Sequence, residues 1–107
     1  MRLLLDECVP RPLLHELTGY DAHHVVDMGW SSKCNGDLLK LMLAERFEAL
    51  FAVDQNLAFQ QNVLASGIAV VVAVARTNRV KELRPLMPQV RDALRVVKAG
   101  EVIRVGL

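Results

Sequence analysis

The sequence predicts an α/β domain built on a mostly parallel sheet of four to five strands with helices packed on both faces. Three observations predict it. Short apolar runs recur along the chain, at Arg2-Leu3-Leu4-Leu5, Ala49 to Val53 and Ile68 to Ala75. The segments between them carry helical spacing, so strand and helix patterns alternate as in βαβ units. The runs are also continuous rather than alternating, which suits strands covered on both faces, as in parallel sheets.

Taken in order, Arg2 to Leu5 reads as a buried first strand that delivers Asp6 and Glu7, although four residues alone do not exclude a helix. Pro10 and Pro12 break the run, and residues 11 to 18 read as a helix closing at Gly19. Asp21 to Val26 ends in β-branched residues and reads as a second strand, with a loop from Asp27 to Ser32. The adjacent His23 and His24 invite a metal reading. Neighbours on a strand point to opposite faces, however, which favours one buried and one solvated imidazole.

Asn35-Gly36 caps a helix over 37 to 46, with Asp37 in its first turn, where the helix dipole favours a carboxylate. The third strand, 49 to 53, delivers Asp54 and Asn56 to a following helix over 57 to 64 that closes near Gly67. On that helix Gln60-Gln61-Asn62 reads as solvated amides, or as hydrogen-bonding groups if near a pocket. Ile68 to Ala75 is the strongest strand and is expected in the interior of the sheet. The basic run Arg76 to Arg84 follows it directly, then a helix over about 88 to 98 and an edge strand at Val102 to Val105.

The bulk numbers narrow the class. A chain of 107 residues forms one domain. Hydrophobic residues at 52% and charged residues at 23% argue against disorder. A net charge of +1 allows an acidic pocket beside a basic rim, so distribution matters more than the sum. The longest apolar run is far shorter than the ~20 residues that span a bilayer. Without an apolar leader after Met1 the chain reads as cytoplasmic, with Cys8 and Cys34 as buried free thiols.

In open α/β sheets, sites lie outside the carboxyl ends of the strands. Asp6, Asp37 and Asp54, with Glu7 beside the first, would gather at that edge. Clustered oxygen ligands suit Mg²⁺ or Mn²⁺, ions that activate water and stabilise a leaving oxygen in phosphodiester hydrolysis. Arg76, Arg79, Lys81 and Arg84 would hold a nucleic-acid backbone through its phosphates. Against this stands a plainer reading, since carboxylates after strands and at helix starts are common as loop and cap residues.

Leu4-Leu5-Asp6-Glu7 with Val9-Pro10, Val25 to Trp30, Asn35-Gly36-Asp37-Leu38-Leu39 and Val53-Asp54-Gln55-Asn56-Leu57 together resemble the small PIN-like proteins. That group is related to the PIN-domain ribonucleases and often forms the toxin of bacterial toxin-antitoxin pairs. The resemblance implies a PIN-like three-layer α/β/α fold, a Mg²⁺ or Mn²⁺ site and RNA cut by metal-activated water. It implies Asp6, Asp37 and Asp54 as catalytic and metal-binding acids. Where the pattern has a further aspartate and an aromatic, this chain has Asn56-Leu57. Asn56 offers a carbonyl oxygen to a metal but no charge.

Two other classes compete. One is a silent PIN-like module that binds an antitoxin or forms a homodimer. The other is a receiver-type phospho-acceptor domain with Asp54 as the acceptor and Lys81 near Pro85 as its lysine.

Overall fold

The computed structural model describes residues 1–31, 35–53 and 67–106, without the side chains of Asn35 and Gly36. The predicted helix over 57 to 64, together with Asp54, Asn56 and Cys34, lies outside them.

Five strands form one sheet: β1 (Arg2–Leu5), β2 (Asp21–His24), β3 (Ala49–Val53), β4 (Ala69–Val74) and β5 (Val102–Gly106). Their order is β2-β1-β3-β4-β5, and every neighbouring pair is parallel. The interior strands are buried on both sides, which is why they read as unbroken apolar runs. Odd-numbered residues Leu3, Leu5, Phe51, Val71 and Ala73 build one core, and even-numbered Leu4, Leu50, Val70 and Val72 build the other.

Helix α1 (Asn35–Ala44) covers the even face with Leu38, Leu39 and Met42, spaced to fall on one side of the helix. Arg46 closes it in a left-handed conformation, φ 61°. There its N–H reaches the Leu43 carbonyl and the Phe47 N–H reaches that of Met42, a Schellman closure without glycine.

The odd face is covered by a 3-10 helix (Arg11–Glu16) and by α2 (Val80–Leu83) and α3 (Met87–Val96). Residues 11 to 18 were expected to form a helix. The segment is tighter and shorter: Pro12 sits in its first turn, no side chain caps it, and six residues are few for an α-helix in water. Helix α2, inside the basic run, was not expected at all. Its first turn has no side-chain cap, and Pro85 ends it one residue after its C-cap, leaving little local signal.

The connections have different hands. The β1-to-β2 and β4-to-β5 crossovers pass over the same face yet travel in opposite directions along the sheet. The β2-to-β3 crossover runs over the other face in the second direction, so it shares the hand of the first. The last crossover therefore has the opposite hand to both, so these three do not all obey the right-handed rule that about 98% of such units follow. It places the helices after the basic run on the same side as the 3-10 helix after Asp6.

The end of β5 is pinned closely. Gly106 has φ +100°, and a Cβ there would meet the Val74 carbonyl oxygen and a Leu86 methyl. Gly106→Ala is expected to cost about 1 kcal/mol or more from the backbone alone, before the clash is counted. Urea unfolding checks this, and an unchanged midpoint would contradict the close approach. Among the described residues no helix is long and apolar enough to cross a membrane.

Candidate functional site

The sheet order reverses direction between β1 and β3, since the chain leaves β1 toward β2 on one side and β3 lies on the other. Such a switch point opens a crevice at the carboxyl ends of the two strands, where ligands bind in doubly wound sheets. Asp6 stands there. Its N–H donates to the Phe51 carbonyl of β3 at 2.9 Å, and its own carbonyl accepts from Val9 at 2.9 Å, closing the turn after β1.

The half-buried Cys8 links this turn to β3. Its thiol lies 3.0 Å from Asp6 Oδ2 and donates to it. Its sulfur accepts the Val53 N–H at 3.5 Å and lies 3.7 Å from the Val53 carbonyl oxygen. Val53 is the residue immediately before Asp54. Burial pushes the Cys8 thiol up to about 12 from 9.0, and the hydrogen bond to Asp6 and its charge push the same way. Cys8 is therefore a protonated donor at neutral pH and not a nucleophile.

The sign of its pH effect follows. A raised pKa means that the unfolded chain releases its proton first, so the stability Cys8 contributes is whole below pH 9 and is lost as pH climbs toward 12. The stability gap between wild type and Cys8→Ala is expected to be constant from pH 7 to 9 and to shrink above it. Paired urea melts at each pH measure this, and a gap that widened with pH would contradict it.

Two further contacts brace the edge. His24 is buried, with Nε2 2.6 Å from the Val9 carbonyl and Nδ1 accepting the Val26 N–H at 3.1 Å. Those partners require the proton on Nε2, so the imidazole clamps the turn after β1 to the end of β2. His23 points to the other face, half-exposed, 2.7 Å from Asp21 and edge-on to Phe47. Arg11 and Asp27 pair at 2.7 Å across the same two loops.

The predicted acids are placed as follows. Asp6 is partly buried, and its Oδ1 accepts no hydrogen bond from the described residues. Glu7 is exposed, and so is Asp37 in the first turn of α1. Among the described residues no three His, Cys, Asp or Glu side chains come close enough to hold a metal ion, so Asp6, Glu7 and Asp37 do not make such a group by themselves. Asp6 offers one carboxylate of the kind a hard divalent ion takes, and one such donor does not by itself make a site. Asp54 and Asn56, the rest of the expected set, lie outside the described residues.

The basic run divides. Arg76 and Arg79 are exposed in the loop between β4 and α2, and neither forms an ion pair among the described residues. Arg76 borders a groove of about 490 Å³ with Val74, Ala75, Glu82 and Leu86. Lys81 is exposed on α2. Arg84 has moved down the odd face, where Nε lies 3.8 Å from Glu16 at the far end of the 3-10 helix.

The chain matches no family model, and no curated protein or solved structure matches it. The site therefore rests on its own geometry.

Sequence reasoning missed Cys8 and Asn78 as members of this edge. Cys8 follows Asp6 by two residues, and its reading as a plain buried thiol overlooked the carboxylate within reach. Asn78 donates from Nδ2 to the Cys8 carbonyl at 3.1 Å. Its partner lies 70 residues away in the chain, so no local signal in the sequence marks that pairing.

Proposed function

We propose that the chain is a Mg²⁺- or Mn²⁺-dependent ribonuclease of PIN-like type working at the carboxyl edge of the sheet. The observation that carries this reading is the convergence of Asp6 with the end of β3, next to exposed cations on the loop after β4. In this proposal Asp6, Asp37 and Asp54 hold the ion, Asn56 adds a neutral oxygen, and Glu7 stands beside Asp6. The bound ion supplies an activated water and stabilisation of the leaving oxygen. Arg76, Arg79 and Lys81 hold the RNA backbone by its phosphates. Cytoplasmic location and an antitoxin protein as partner belong to the same reading.

Salt dependence of RNA binding tests it. Arg79→Ala is expected to reduce the slope of log K against log salt for single-stranded RNA by about 0.7, one phosphate contact. Arg84→Ala is expected to change the slope little, because Arg84 faces Glu16. Absence of RNA binding, or an unchanged slope in Arg79→Ala, would overturn the assignment.

One observation favours a second reading. The order 2-1-3-4-5 is that of the doubly wound sheets that include receiver domains. The opposite hand of the last crossover argues against it, and Lys81 lies on α2 after β4. Labelling of Asp54 by a small phosphodonor, without RNA cleavage, would decide for the receiver.

A further inference from the structure

Strands β1 and β4 are not neighbours, because β3 lies between them. At about 4.8 Å per strand their axes are roughly 10 Å apart. The loops beyond them nevertheless meet, since Asn78 donates its amide to the Cys8 carbonyl at 3.1 Å. The contact therefore bridges the carboxyl end of β3. Cys8 is at the same time tied through its sulfur to Asp6 and to Val53. One residue thus joins the acid, the end of β3 and the cationic loop.

That loop has its own brace: Thr77 Oγ1 accepts the Arg79 N–H at 3.2 Å, which turns the chain into α2. Arg76 and Arg79 flank Asn78 on either side. Their guanidinium groups have no ion-pair partner among the described residues, so no salt bridge fixes the loop between β4 and Val80.

We propose that Asn78 is a positioning residue whose amide fastens the Arg76–Arg79 loop across the end of β3, which holds its cations at the same carboxyl edge as Asp6. The role in RNA binding rests on the ribonuclease reading; the fastening itself does not.

Two measurements on the full chain separate these. The first is hydrogen exchange at the backbone amides of residues 76–79 in wild type, Asn78→Ala and Asn78→Asp, the last having the same shape but no donor. Both variants are expected to exchange faster there, with amides of β1 and β3 unchanged. Equal exchange in all three proteins overturns the proposal. The second is binding of a single-stranded RNA oligonucleotide across a salt series. Asn78→Ala is expected to raise Kd about three- to tenfold, the scale of re-ordering one or two side chains on binding.

A purely structural residue would leave Kd alone, and that result overturns the positioning role. A reduced slope would show that a loop arginine no longer reaches its phosphate once the amide is gone, since a neutral amide releases no counterion, and it supports the positioning role. If wild type binds no RNA, the ribonuclease reading fails, and hydrogen exchange alone decides whether Asn78 fastens the loop.

Discussion

Asp6→Asn is expected to lower metal-dependent RNA cleavage by more than about 100-fold while leaving the fold intact. The substitution keeps the shape of the side chain, and an amide oxygen still accepts the Cys8 thiol now 3.0 Å from Oδ2. What it removes is the negative charge at the switch point between β1 and β3. Losing a group that merely orients a metal ligand typically costs 10- to 100-fold, so losing the charge of a ligand itself should exceed about 100-fold. Cleavage rates at saturating Mn²⁺, beside thermal unfolding of both proteins, check this. A rate within about threefold of wild type would remove Asp6 from the chemistry.

Phe51→Ala is expected to be the most destabilising single change in the sheet, at about 3–5 kcal/mol. Phe51 is fully buried in β3, between Leu5 of β1 and Val71 of β4, in the core that the 3-10 helix and α3 close. No exposed edge lets the cavity collapse, because both flanking strands are hydrogen-bonded on both sides. A domain of this size typically has only about 5–15 kcal/mol in hand, so the variant should lose a large part of it. Its urea midpoint is expected to fall by roughly 1–3 M at an ordinary m-value. A shift worth less than about 1 kcal/mol would mean that the core centres elsewhere. The same substitution also loosens the carbonyl that holds the Asp6 N–H, so site and core are expected to fail together.

The elements that sequence reasoning reached are those whose signal is local. Val70 to Ala73 is β-branched or small and buried on both faces, which leaves no alternation to mislead. Helix α3 shows its inward side through Met87, Val90 and Leu94. The second strand was placed two residues too long. Val25 and Val26 have strand propensity, but the chain turns at His24, where the Met28 N–H returns to its carbonyl. Strand order and the hand of the last crossover depend on which faces are covered, and no short window of residues records that.

The same division holds at the site. The position of Asp6 was legible, because the residue after a strand of a parallel sheet stands at the carboxyl edge. The separation of Arg84 from Arg76 and Arg79 was not, since it depends on α2 descending the odd face until it meets Glu16. Nor was the bridge from Asn78 to Cys8, whose partners are 70 residues apart in the chain.

The central claim is that the carboxyl edge cuts RNA through a divalent ion held by its aspartates. The measurement that tests it most directly is cleavage of a mixed set of labelled RNAs by the purified protein with Mn²⁺, with Mg²⁺ and with EDTA, beside Asp54→Asn prepared identically. Cutting that needs the ion, stops with EDTA and vanishes in Asp54→Asn is the predicted result. No cutting under any condition, together with no Mn²⁺ binding at millimolar concentration, would contradict it and leave a silent partner-binding module as the better account.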